Sequence, residues 1–334
     1  MRTSTRWRLG AVLASVAMAS GACTSLGAAH QANRGSSGAT TSAPAPRVTD
    51  SQVVAAVAAA AHITKVPANL DPPLSDISDI ETLNTGGTCA SGYRWPQVGL
   101  DALHFGECSY GDASSSRLMV VFGDSHAGMW LTSLKVVAQR TGWAVKAFYF
   151  PGCPAPSLTF FSEQSGSPNL ACNTFRTDAI DAVDALHPAM VLVTSASLGQ
   201  QVSKGVDATS AQWQEGYTST LERLRSPGRR LVVIGDIPIL TRDDPDCLAA
   251  HMADVQACAT PLSQAEQGVY VSAERQAATA AGAQYIPTAQ WICSAECEPI
   301  VGTMRVYNDQ YHLSATYAAY LSGPLQDALG LRNA

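Results

Sequence analysis

The chain has 334 residues, of which 46% are hydrophobic and 14% charged, enough apolar material for one large domain or two ordinary ones and too much for wholesale disorder. Its 21 Lys and Arg stand against 27 Asp and Glu, a net charge of −6. Residues 1–22 hold three arginines and no acid, so without them 18 basic against 27 acidic residues leave −9. A chain this acidic, with no basic stripe, is a poor nucleic-acid binder.

The first elements in chain order concern export. Arg2, Arg6 and Arg8 precede the apolar stretch Leu9–Ala22. A basic head followed by a short apolar run and small residues reads as a signal peptide, residues 1–22. The run is short for a membrane span, and no other stretch reaches about 18 apolar residues. Ser20-Gly21-Ala22-Cys23 resembles a bacterial lipobox, which would make Cys23 a lipidation site and place the protein on the membrane surface; the simpler reading is secretion with cleavage nearby. Residues 23–50, rich in Ser, Thr, Ala, Gly and Pro, read as a flexible tether.

Asp50 or Ser51 is expected to cap a short helix over Gln52–His62. Residues 51–115 otherwise lack a clear period and read as an irregular N-terminal wrap carrying Cys89 and Cys108. From residue 116 short apolar runs alternate with segments of helical spacing. The runs are Leu118–Phe122, Ala144–Phe150, Met190–Thr194, Leu231–Gly235 and Gln284–Pro287. The helical segments lie near 126–140, 173–187, 211–225, 266–281 and 314–329. Buried strands alternating with helices indicate a parallel sheet covered on both faces. The expectation is an α/β, flavodoxin-like three-layer domain over 116–334, with five parallel strands in the order 2-1-3-4-5 and a ligand site at their carboxyl ends.

Nine cysteines include Cys23 and eight others, an even number that in an exported chain reads as disulfides. Eight cysteines allow about 105 pairings. The sequential set, 89–108, 153–172, 247–258 and 293–297, is expected because each bridge then staples one local loop. Cys293 and Cys297 alone would suit zinc, but no second close pair follows, so no metal and no cofactor are expected.

The first strand delivers Gly123-Asp124-Ser125-His126 to a helix start. A serine there has an exposed hydroxyl and an amide at the positive helix end, which suits a nucleophile beside an oxyanion donor; its commoner use is as a helix cap. Far along the chain, Asp309 and His312 lie three apart before the last helix, so the carboxylate can hold one imidazole nitrogen and leave the other for Ser125. Taken singly, His312 and Asp309 read as ordinary surface and turn residues; only the combination points to chemistry.

Gly123-Asp-Ser-His126 together with Asp309-x-x-His312-Leu-Ser resembles the SGNH hydrolases. The resemblance is closer to the extracytoplasmic SGNH domain found behind membrane-bound acyltransferase-3 domains, which O-acylate bacterial surface sugars. Trp130, Gly152-Cys153-Pro154, Cys172, Asp236-Ile237-Pro238, the Cys293/Cys297 pair and Tyr307–Ser314 all fit that branch, over about 85–330. The resemblance implies that Ser125 is the nucleophile, His312 the general base and acid, and Asp309 its orienter. It implies oxyanion donors at the Ser125 and Gly152 N–H groups. The family's third donor, an Asn after strand 3, has no counterpart in Thr194–Gly199; either Ser195 or Ser197 substitutes, or the hole has two donors. His126 has no required role in this reading. No membrane helices of the acyltransferase-3 kind are seen, so a freestanding enzyme is expected that adds or removes small acyl groups, acetyl by analogy, on envelope glycans or other acylated small substrates, with a separate membrane acyltransferase as partner for transfer. The alternative is a glycan-binding lipoprotein with a vestigial site.

Overall fold

The computed structural model describes residues 47–80, 109–197 and 200–334. The signal, most of the tether, Cys23 and the Cys89–Cys108 pair lie outside the described residues.

A six-stranded sheet forms the centre. Its strands are β1 (Ser109–Gly111), β2 (Leu118–Gly123), β3 (Ala144–Tyr149), β4 (Met190–Thr194), β5 (Arg230–Ile234) and β6 (Gln284–Ile286), in the spatial order β1-β3-β2-β4-β5-β6. The five strands from β2 onward are parallel and coincide with the apolar runs. Strand β1 is an addition to the expected five: it pairs antiparallel with β3, Tyr110 opposite Val145. Its three residues are too few and too exposed to show a period, which is why the sequence placed them in the wrap.

Successive side chains of a strand point to opposite faces, and β2 shows this directly. Met119 and Val121 join one apolar cluster, Val120 and Phe122 the other. Helices α1 (Asp50–Ala60), α2 (Ser125–Thr141), α7 (Ala315–Tyr320) and α8 (Ser322–Ala328) contribute to the first cluster, through Val53, Leu131, Tyr317 and Leu325. Helices α3 (Leu170–Leu186), α4 (Ser210–Leu224) and α6 (Gly268–Ala280) contribute to the second, through Phe175, Trp213 and Ala277. A short helix, α5 (Asp244–Ala250), joins a third, smaller cluster through Cys247 and Leu248. At about 25 cal/mol per Å² of apolar surface, these two layers supply most of the folding drive.

Two helix boundaries differ from expectation. Helix α1 begins at Asp50, and its cap is Thr49, whose hydroxyl accepts from Gln52 N–H while the Gln52 side chain accepts from Thr49 N–H. The reciprocal bonds satisfy two end groups at once, an option closed to Asp50 or Ser51 once both are helical. The last helical segment is divided into α7 and α8, with Leu321 between them. Arg47 pairs with Asp327, and the Val48 carbonyl runs so close to Gly323 that a β-carbon there would lie 1.7 Å from it.

Among the described residues three disulfides are present, Cys153–Cys172, Cys247–Cys258 and Cys293–Cys297. The last bond removes the zinc alternative, because its sulfurs are no longer thiolates.

Candidate active site

The site is assembled at the carboxyl ends of β2, β3, β4 and β5. Gly123, the last residue of β2, lies against β4 so closely that a β-carbon would come 1.9 Å from the Thr194 carbonyl. Only glycine allows the strand to turn there. Asp124 then caps α2: one carboxylate oxygen accepts from His126 N–H at 2.9 Å and the other from Ala196 N–H at 2.9 Å, tying the helix start to the loop after β4. Asp124 is buried, and burial pushes its carboxyl above the ordinary range although the His126 charge and these two N–H groups favour the anion. The cap is therefore Asp124, and Ser125, the first helical residue, has a half-buried hydroxyl free of that duty.

His312 and Asp309 sit on a tight turn before α7. Asn308 N–H bonds the His312 carbonyl at 2.8 Å, and Asp309 accepts from Tyr311 N–H at 2.9 Å and His312 N–H at 2.8 Å. The turn is braced from outside. The Arg305 guanidinium reaches the Asn308 side chain and the Pro73 and Asp76 carbonyls, while Asn308 donates to the Ile77 carbonyl.

The structure brings three of the expected residues together. His312 Nδ1 lies 2.8 Å from Asp309 Oδ2, and His312 Nε2 lies 2.9 Å from Ser125 Oγ. A carboxylate only accepts, so Nδ1 carries the proton and Nε2 is left to accept from the serine hydroxyl. Burial opposes the Asp309 charge, but the hydrogen bond from the His312 ring and the two backbone N–H groups outweigh it and hold the carboxyl below its usual range. In this arrangement an imidazole can draw a proton from an alcohol while a fixed carboxylate steadies its other nitrogen.

Gly152 lies in the loop after β3, whose Phe150 N–H bonds the Gly123 carbonyl at 3.0 Å. Its φ is +73°, and a β-carbon would meet nothing within 4 Å. The N–H groups of Ser125 and Gly152 have no partner among the described residues. Arg176, buried in α3, holds this loop through the Pro154 and Leu158 carbonyls and lies 2.7 Å from Cys172 Sγ; burial lowers its guanidinium to about 10. The serine substitutes for the missing Asn are engaged elsewhere. Ser195 Oγ is buried and accepts from Ala155 N–H at 2.6 Å, and Ser197 Oγ donates to Asp236 at 2.7 Å.

Sequence reasoning missed a second imidazole–carboxylate pair. His126 Nδ1 lies 2.6 Å from Asp236 Oδ1, both side chains buried. Asp236 also accepts from the N–H groups of Ile237 and Ser197 and from the Ser197 hydroxyl. The signal was present in the Asp236-x-Pro stretch at the end of β5 and in the His after Ser125, but nothing in the sequence links residues 110 apart. Among the described residues no group of three or more His, Cys, Asp or Glu could hold a metal ion.

Comparison with known proteins agrees with the fold. The periplasmic domain of a Salmonella ser. Paratyphi A lipopolysaccharide acetyltransferase superposes with a TM-score of 0.54 at 15% identity, covering 65% of this chain and 85% of that one. A Bacteroides fragilis acylhydrolase, so described in its structure, gives 0.42 at 12% identity (66% and 89%), and a carbohydrate acetylesterase family member from Sinorhizobium meliloti gives 0.39 at 13% (64% and 100%). No curated protein shows a significant sequence match. The family model described as the SGNH domain fused to AT3 domains matches residues 89–327, most of the chain, and the chain belongs to that family.

Proposed function

We propose that the chain is an exported serine acyl-transfer enzyme that adds or removes small O-acyl groups, acetyl above all, on cell-envelope glycans. The observation that carries this reading is the continuous run from Ser125 Oγ through His312 to Asp309, at 2.9 and 2.8 Å. His312 Nε2 takes the Ser125 proton as Oγ attacks the ester carbonyl carbon. The tetrahedral oxyanion is held by the N–H groups of Ser125 and Gly152. His312 returns the proton to the departing alkoxide, leaving an acyl-enzyme. A sugar hydroxyl or water, deprotonated by His312, then releases the acyl group. The glycan and the acetyl group come from the acetyltransferase named above, whose domain this one resembles in fold. The SGNH domain and its disulfides fit an extracytoplasmic site, and no helix among the described residues is long and apolar enough to cross a membrane. Lipidation at Cys23 would hold the domain at the membrane surface, and a separate membrane acyltransferase would supply acyl groups for transfer.

One observation favours a second reading, a glycan-binding protein without turnover: Ser195 and Ser197 are engaged elsewhere, and loss of one oxyanion donor typically costs about 2.7–4 kcal/mol of transition-state stabilisation. The two separate on incubation with p-nitrophenyl acetate and an acceptor oligosaccharide. Release of nitrophenol that stops in Ser125→Ala supports the enzyme, with acyl-oligosaccharide exceeding free acid marking a transferase and the reverse an esterase. Absence of turnover, with oligosaccharide binding unchanged by Ser125→Ala, supports the binding protein.

A further inference from the structure

His126 is wholly buried, follows the serine directly and takes no part in the steps above. Its ring contacts that of His312 edge-on, centroids 5.3 Å apart at 63°. Nδ1 is fixed by Asp236 at 2.6 Å, and Nε2 is buried with no hydrogen-bond partner among the described residues. Either form leaves Nε2 unpaired, as a lone pair in the neutral ring or an N–H in the protonated one, and protonation turns the short Asp236 bond into an ion pair. The carboxyl groups around it are Asp236 from the loop after β5, Asp124 from the end of β2 and Asp309 from the turn carrying His312, with Glu274 of α6, whose proton burial retains, behind Asp236.

We propose that His126, clamped by Asp236, is a positioning residue that backs the His312 ring and keeps a fixed positive charge beside it, on the reading that His312 is the base. Burial opposes this charge, yet the Asp236 anion and hydrogen bond, with Asp124 and Asp309, outweigh it and raise the His126 ring above its ordinary range. The His126 cation compensates the buried carboxylates, and its repulsion discourages a second proton on the neighbouring ring. The motif's Ser-His order thereby joins the nucleophile and the support of its base on one helix turn.

The test uses the full chain and His126→Gln, with kcat/KM for p-nitrophenyl acetate measured against pH and imidazole nitrogen NMR recorded on both. The expected result is an acid limb displaced upward by about one pH unit in the variant, with His126 of the unmodified protein doubly protonated across the whole pH range of the activity profile. A merely structural histidine would lower the plateau and leave the limb in place, and that result overturns the proposal. So does a singly protonated His126 in the NMR spectrum, a readout that holds even where His126→Gln fails to fold. The NMR titration needs no turnover, so an inactive protein would refute the enzyme reading while the charge on His126 stays measurable.

Discussion

Ser125, His312 and Asp309 each contribute differently to the proposed chemistry, so their substitutions have different expected costs. Ser125→Ala removes the nucleophile and should lower ester turnover by about 10³-fold or more without changing the unfolding midpoint. Asp309→Asn keeps the shape of the turn but presents a donor or a weaker acceptor to His312 Nδ1, and about 10³–10⁴-fold should be lost from kcat. Steady-state kinetics with circular dichroism on the same samples would check both; near-normal rates in either folded variant would refute its assigned role. The pair was visible in the sequence because three-residue spacing on one loop is local information. The Ser195 or Ser197 substitution for Asn was not decidable in that way, since it depended on which way two buried hydroxyls turned.

At the scale of the elements, the sheet's carboxyl edge sets the tolerances. Gly123→Ala would push a methyl into the Thr194 carbonyl, 1.9 Å away, where backbone cannot yield as a flexible side chain can. A loss of about 3 kcal/mol or more is expected in denaturant unfolding, and unchanged stability would show that β2 and β4 can part. Glu274 on α6 is wholly buried, meeting Trp213 Nε1 at 3.3 Å and Asp236 N–H at 3.4 Å, and burial drives its carboxyl well above the usual range. Since the folded state holds the proton more tightly, its contribution to stability is full below about pH 4.3, falls as pH rises toward the raised folded-state value, and then levels off. Glu274→Gln, which mimics the protonated form, should flatten that part of the stability-versus-pH curve; an unchanged slope would show that Glu274 does not cause it. Strands β2, β4 and β5 were legible because each is an apolar run buried on both faces, whereas β1 is held mainly by its pairing with β3 and has no pattern of its own.

Across the whole molecule, the disulfides join loops that the sheet cannot order alone. Cys153 and Cys172 are 19 residues apart, and their bond closes the loop that follows Gly152. Replacing both by alanine should cost about 3 kcal/mol by loop closure, with Tm lower by roughly 6–12 °C; a calorimetric Tm within a degree of the parent would contradict this. For the three described bridges sequential pairing was readable from spacing, because each is local. The His126–Asp236 contact was not, because it exists only once β2 and β5 are carried to the same edge by an intervening β4. The claim on which the functional account rests is that Ser125 is a nucleophile activated by His312. Mass spectrometry of the intact protein and its peptides after treatment with a fluorophosphonate tests it most directly. One phosphonyl group on the Ser125 peptide is expected, absent in Ser125→Ala and strongly slowed in His312→Ala; a folded protein that remains unlabelled, or is labelled elsewhere to the same extent in all three, would contradict it.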